Sequence, residues 1–525
     1  KTAWFAGIIC GQDLGGYLAA ATKSNCMIKA SIVAVLTVAP SPDGGELRVL
    51  AKVADWLEVR ADLVGDLDPG WLRSFFPGML LYSLRSSSAG GAFEGAKSER
   101  SARLLNASPH YDLVELEAES DLQPEILSEV APDKRVLSWY GTPKNLGELI
   151  LHFDRLSTIK SRFYKMVVES KCIADTSGPL LMLKSLARPD VIAFASGESG
   201  FWSRLLAPRF GAPIIFGSAD REWTAEGDPS IFKLVEDYGL PSLLPVDEIY
   251  GIVGNPVNHS LSPRIHNAAY RALKHPALFM PFQVVSFGDF WREVVMSGKL
   301  ELLGLTIRGL TVSSPYKEAA LREARASSPM SQLIGAANVF VQNNGHWKAD
   351  TTDPEGVILA IRNRGFSLEG RKAAVIGCGG AGRAVAAALS EEGADVTLVN
   401  RGLERGRMAA RLLGLPFVAL SSFTARDFSF LINATPVGRD DNKMPFELMG
   451  LSEDAVVIDL VYGDTPTPLI ASALASGRAG IDGHEVLLIQ VLHQFHKMTG
   501  LDMPTDLARE ALRLNVSPTI QFLTA

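Results

Sequence analysis

Eight short β-rich runs between residues 31 and 218 constrain this chain more than anything else in it. They are "SIVAVLTV", "DWLEVRAD", "MLLYSLRS", "YDLVELEA", "RVLSWYG", "RFYKMVVES", "DVIAFAS" and "APIIFGS". Between most of them lie amphipathic stretches such as "NLGELILHFDRLS" and "SGPLLMLKSLA", apolar at helical spacing. Strand–helix alternation repeated eight times predicts an α/β fold with a (β/α)8 barrel, whose reactive groups gather at the C-terminal strand ends. A doubly wound sheet is the competing arrangement.

The polar stretch "SADREWTAEGDPS" and the proline-rich connector "YGLPSLLPVDEI" follow, and a second alternating block runs from about 247 to 350. A third starts near 371, and "EVLLIQVLHQFHKM", apolar at helical spacing, is expected to pack back across the second. A length of 525 residues calls for two or three domains. With 47% hydrophobic and 21% charged residues the composition is that of a soluble globular protein, and a net charge of −7 gives no reason to expect nucleic acid or an anionic membrane. Cys10, Cys26, Cys172 and Cys378 are scattered without metal or redox spacing, which fits a reducing cytoplasm and no metal. No apolar run suggests a membrane span. The start, "KTAWFAGIICG", reads as an irregular segment (1–30), with a signal peptide as second choice.

"AVIGCGGAGRAVAAALSEEGADVTLVNRG" (374–402) reads as strand, glycine turn, helix, strand. Gly377, Gly379, Gly380 and Gly382 let the backbone approach a pyrophosphate, and a helix starting near Ala381 aims its N–H groups at that anion. Where an NAD site carries a carboxylate, the second strand ends in Asn400-Arg401, with Arg405 one turn on. Guanidinium groups there suit a 2′-phosphate, so NADP is the expected cofactor.

In the middle block, "GIVGNPVNHSLSPRIHNAAY" offers Ser260 and Ser262, "GLTVSSPYKEAAL" offers Ser313 and Lys317, and "IGAANVF" with "DTTDPEGV" offers Asn338 and Asp353. Together with the glycine loop, "NATPVG", "DLVYGDTPTPL" and "DGHEVLLIQ", these resemble shikimate dehydrogenase over about 247–525. The resemblance implies a substrate-binding domain (247–350, completed by 484–525), an NADP-binding Rossmann domain (351–483), and reversible NADPH-linked reduction of 3-dehydroshikimate to shikimate. By position, Ser260, Ser262, Ser313, Asn338, Tyr462 and Gln490 would hold the substrate, with Asp353 beside them. Gly377, Gly379, Gly380, Ala381, Gly382, Asn400, Arg401, Arg405, Thr435, Leu460 and Gly483 would hold the cofactor. Lys317 would be the acid/base, steadied by Asp353.

The family pattern is not followed throughout. "NVTxPHK" appears as "TVSSPYK", "NTD" as "TTD", "NRT" as Asn400-Arg401-Gly402, and "TPxGM" ends in Arg439. Tuned affinity or substrate choice is expected from these changes.

The first block (31–240) resembles, more loosely, a type I 3-dehydroquinate dehydratase, whose lysine forms a Schiff base with the substrate ketone. Lys165 matches that lysine, and Glu58, Arg60, Arg85 and Arg204 match substrate-gripping residues. Elsewhere the match fails. Ala89 stands where "EGG" has glutamate, Tyr140 where the acid/base histidine belongs, and Thr224 and Asp228 alter "SAPGQP". His152 is a poor substitute. A histidine titrates near neutrality and a tyrosine near ~10, so slow or absent dehydration is expected. Two other readings stay open for the chain: a quinate or dual quinate/shikimate dehydrogenase, and a non-catalytic sensor of pathway ligands. Shikimate, 3-dehydroshikimate and 3-dehydroquinate are the expected small-molecule partners.

Overall fold

Alternation within the barrel strands decides which residues meet. A computed structural model describes residues 28–220, 228–439, 441–463 and 465–514. The expectations for residues 1–27 (Cys10 and Cys26 among them), Thr224 and residues 515–525 lie outside the described residues. The eight predicted strands form: β1 (Ser31–Leu36), β2 (Trp56–Arg60), β3 (Met79–Ser83), β4 (Leu113–Glu117), β5 (Arg135–Gly141), β6 (Phe163–Glu169), β7 (Val191–Ser196) and β8 (Ile214–Ser218).

They pair in parallel in the order β7-β6-β5-β4-β3-β2-β1-β8, a near-closed barrel. Across the seam between β7 and β8, Phe194 and Phe216 approach at 6.2 Å. Because side chains alternate, the interior holds an apolar floor of Val33, Trp56, Leu81, Leu113, Val136, Ile192 and Ile214. Glu58, Glu115 and Ser138 lie two residues beyond floor residues of their strands, and Lys165 two beyond Phe163, so the same alternation turns them inward, above the floor. Outer helices cover the barrel. In Leu146–Leu156, Asn145 caps the start by accepting from Glu148 N at 3.0 Å, and Leu149, Ile150, Phe153 and Leu156 are buried.

The second sheet runs β10-β9-β11-β13-β14-β12, from β9 (Glu248–Gly254), β10 (Ala277–Gln283), β11 (Thr306–Val312), β12 (Ala326–Ser327), β13 (Val339–Asn343) and β14 (His346–Asp350). The third is wholly parallel. Its order β17-β16-β15-β18-β19-β20 comes from β15 (Lys372–Ile376), β16 (Asp395–Asn400), β17 (Phe417–Ala419), β18 (Phe430–Asn433), β19 (Val456–Asp459) and β20 (Ala479–Ile481). That 3-2-1-4-5-6 order is the doubly wound dinucleotide arrangement.

Six helices position the site: α1 (Ser262–Leu273), α2 (Lys317–Glu323), α3 (Asp353–Asn363), α4 (Gly380–Glu391), α5 (Leu403–Leu413) and α6 (Gly483–Thr499). Helix α6 is buried along most of its length, as a helix packed on two sides must be. It lies against α3 on one side and the second sheet on the other, where Phe495 joins Tyr250, Tyr270 and Phe279. Asp482 caps it, accepting from Glu485 N at 3.0 Å.

The barrel and the second sheet share one continuous apolar core, from Ile32 through Trp202 to Phe282 and Ala349. Trp202 and Phe282 approach at 5.8 Å across it. Beside it, Arg264 of α1 pairs with Asp237 of the barrel's last helix at 2.6 Å. Among the described residues, no helix is long and apolar enough to cross a membrane.

Candidate active site

Lys317 opens α2, just beyond the C-terminal end of β11, and Asp353 opens α3. Their side chains meet, Lys317 Nζ donating to Asp353 Oδ2 at 2.6 Å. The other oxygen of Asp353 accepts from Asn338 Nδ2 at 2.9 Å and from Gln490 Nε2, on α6, at 3.0 Å. Four predicted residues from four separate parts of the chain thus form one cluster. Asn338 is further held at Thr352, its Oδ1 accepting from Thr352 N at 2.8 Å, and Gln494 Nε2 donates to Thr352 Oγ1 at 3.1 Å. Thr352 and Gln494 were missed in the sequence, where each reads as an ordinary polar residue. The Lys317 amine has three donors and spends one on Asp353.

The loop after β9 brings Ser260 and Ser262 to the same side. Ser260 Oγ accepts from Ser262 N at 3.2 Å, and burial pushes the phenol of Tyr462 up. Ser313, at the end of β11, donates its backbone N–H to Val253 O at 2.8 Å, beside that loop. Within that loop, both amide atoms of Asn258 are shielded from solvent without a hydrogen-bond partner. Such orphaned polar groups are rare, and no sequence signal singled this one out.

The glycine loop lies against the same cluster. A β-carbon built at Gly380 would stand 3.1 Å from Lys317 Cβ. One at Gly382 would stand 1.8 Å from Gly377 O, and Gly377 itself has φ +109°. At Gly379 nothing lies within 4 Å, so its backbone is open to a ligand. A cradle that side chains would fill, at the start of a 12-residue helix, fits a dinucleotide pyrophosphate. Cys378 within it is inert, since burial pushes its thiol up to about 11.

Asn400 shapes the loop, accepting from Cys378 N at 3.1 Å and donating to Gly402 O at 2.8 Å. Arg401 is exposed and pairs with no carboxylate among the described residues. Arg405 is ion-paired with Glu318 at 2.8 Å, and Glu318 also holds buried Arg383 at 2.9 Å, a latch between α2 and α4 that the sequence did not signal. Thr435 lies over the loop, its Oγ1 donating to Asn433 Oδ1 at 2.7 Å, while Leu460 N donates to Asn433 O at 3.0 Å. Gly483 packs tightly, a β-carbon there standing 2.3 Å from Val461 O. Ala381 sits in the first turn of α4. Gly382→Ala is expected to abolish dinucleotide binding in a fluorescence titration with NADPH. Undiminished affinity would show that the loop tolerates the β-carbon.

The barrel mouth is a second polar cluster. Lys165 is buried (2% exposed) and donates to Glu115 Oε2 at 3.0 Å, with Glu58 at 3.9 Å. Burial works against its ammonium, but these two carboxylates raise it above the usual lysine range. Glu115, despite its burial, is held well below the usual carboxylate range by Lys165 and Arg85. Tyr140 donates to Glu115 Oε1 at 2.5 Å, and burial pushes its phenol further up. Arg85 lies over the Tyr140 ring and 3.7 Å from Glu58, neither of whose oxygens has a hydrogen-bond partner.

Arg60 and Arg204 are each occupied, by Asp62 and Asp228 at 2.6 Å, so an anionic ligand would have to displace Asp228. His152 lies stacked on Trp139, away from this cluster. Glu115 escaped notice in the sequence, although a glutamate inside the apolar run "LVELE" demands a buried partner. Among the described residues no group of side chains could hold a metal ion.

Comparison with known proteins follows the same division. Residues 34–244 match the family model of type I 3-dehydroquinase, and 252–340 that of the shikimate dehydrogenase substrate binding domain. The NADP(+) shikimate dehydrogenase of Halobacterium salinarum is 36% identical over 269 residues, which cover 51% of this chain and 98% of that protein. The chain belongs to the shikimate dehydrogenase family. Within reach of both family halves, the chloroplastic bifunctional 3-dehydroquinate dehydratase/shikimate dehydrogenase of Arabidopsis thaliana is 29% identical over 488 residues, covering 86% of this chain and 79% of that one. A solved dehydroquinate dehydratase and shikimate dehydrogenase from S. pombe aligns over 92% of this chain and 98% of its own, at 21% identity and a TM-score of 0.41.

Proposed function

We propose that this protein is an NADP-dependent shikimate dehydrogenase of aromatic amino acid biosynthesis, fused to a dehydroquinase-type barrel whose own reaction is slow or lost. The observation that carries the reading is the Lys317–Asp353 pair lying against the glycine loop, where a substrate alcohol and a nicotinamide would meet. NADP, when bound, supplies the hydride acceptor. Ser260, Ser262, Ser313 and Tyr462 orient the polyol, while Asn338 and Gln490 fix Asp353. Lys317 takes the proton from the hydroxyl as it becomes a ketone, and returns it in the reverse direction.

In this reading the barrel spans 31–240, the substrate domain 247–350 with 484–525, and the cofactor domain 351–483. Cytoplasmic placement is part of the proposal, consistent with the unpaired Cys172 and Cys378. Steady NADPH formation from shikimate by the purified chain tests it. Parallel assays with quinate distinguish the dual-substrate reading, and absence of turnover with either would favour a sensor.

Arg401 is assigned to the 2′-phosphate. Arg401→Ala is therefore expected to raise the KM for NADP by about 10–100-fold, the worth of a charged hydrogen bond, and to leave the KM for NAD unchanged. An equal rise for both cofactors would remove the assignment.

A further inference from the structure

Among the described residues, Gln283 links the barrel to the loop that carries Ser260 and Ser262. Gln283 ends β10, is 6% exposed, and accepts with Oε1 from Val257 N at 3.1 Å, inside the loop that carries Ser260 and Ser262. Its other side-chain atom, Nε2, donates to Glu198, and its main-chain oxygen accepts from Ser199 Oγ at 2.9 Å. Glu198 and Ser199 belong to the turn Glu198–Gly200, which follows β7 at the C-terminal end of the barrel, the rim on which Lys165 and Tyr140 converge.

Among the described residues, the loop's other backbone ties come from its own unit. Asn255 N donates to Ser314 O at 3.1 Å and Ser260 N to Val257 O at 3.0 Å. Without Glu198 the Gln283 amide would lose the partner that sets which of its two ends faces Val257. The amide could then rotate and leave the buried Val257 N–H without an acceptor.

We infer that the barrel turn Glu198–Gly200 is a positioning element of the dehydrogenase: Glu198 and Ser199 clamp Gln283, Gln283 fixes Val257, and Val257 sets where Ser260 and Ser262 meet the substrate. This rests on the reading that those serines hold shikimate. It gives a barrel of little or no activity a task in the neighbouring reaction, carried out by its fold and not by its lysine.

The test is steady-state kinetics on the full chain. Glu198→Ala is expected to raise the KM for shikimate by about 5–30-fold, part of the worth of one charged hydrogen bond because it reaches the substrate only through Gln283 and Val257, with kcat and the KM for NADP unchanged. Glu198→Gln, which keeps an acceptor for Gln283, should restore the KM. Gln283→Leu should match or exceed Glu198→Ala, and the double variant should add nothing to Gln283→Leu alone, since both break one chain of bonds. A Glu198→Ala enzyme with wild-type KM overturns the inference, as does a fall in kcat that Glu198→Gln fails to rescue. Ser260→Ala separates the two readings: a raised KM there beside an unchanged Glu198→Ala sinks the clamp alone, whereas no effect at Ser260 sinks the substrate reading on which the clamp rests.

Discussion

Lys317→Ala lowers kcat for shikimate oxidation by about 10²–10⁴-fold, the usual worth of a positioned acid/base group, and leaves NADP affinity intact. The expectation follows from geometry. Asp353 holds the amine at 2.6 Å, two further residues hold Asp353, and the lysine's stem lies against Gly380, so the nitrogen is fixed beside the cofactor cradle. No other titratable side chain is assigned to the transferred proton. Asp353→Asn would retain the shape of the cluster but replace the anion facing Lys317, and its loss should fall in kcat more than in KM. Stopped-flow NADPH formation with a parallel binding titration checks both. A Lys317→Ala enzyme with unimpaired turnover would end the mechanistic reading.

The second large effect concerns the barrel. Wild-type dehydration of 3-dehydroquinate is expected to run about 10²–10⁴-fold slower than in Tyr140→His, which returns a group titrating near neutrality to the mouth. Borohydride trapping should still find an adduct at Lys165, forming slowly because only the free amine attacks. Glu115 and Glu58 raise the pKa of the ammonium, so the amine fraction at neutral pH is smaller than for an ordinary lysine. Trapping should therefore keep accelerating with pH beyond ~10.4, where an unperturbed lysine levels off. Glu115→Gln removes one carboxylate, lowers that pKa and should speed trapping at pH 7. Wild-type turnover as fast as that of Tyr140→His would mean another group supplies the proton.

Much of this was legible in the sequence because it depends on local pattern. The eight barrel strands follow from short β-rich runs and the amphipathic stretches between them. The glycine cradle follows from residues whose missing side chains the backbone requires, at Gly377 and Gly382 above all. The meeting of Lys317 with Asp353, 36 positions apart, was reachable only through motif resemblance, since nothing local tells a lysine which carboxylate it will find.

What stayed hidden depends on partners distant in sequence and ordinary in type. Glu115 pairs with Lys165 across two strands, Glu318 with Arg383 and Arg405, and Gln283 with both Glu198 and Val257. Asp228 was noticed only as a departure from glutamine. Its bond to Arg204, which neutralises a predicted substrate grip, needed the fold.

The shared apolar core running from Ile32 to Ala349 has a consequence for descent. Two units joined in this way answer to different constraints on their two faces. The inward rim of the barrel answers only to its own chemistry, whereas its outer face is also a wall of the neighbouring unit, and excising it would strip Phe282 and its neighbours bare.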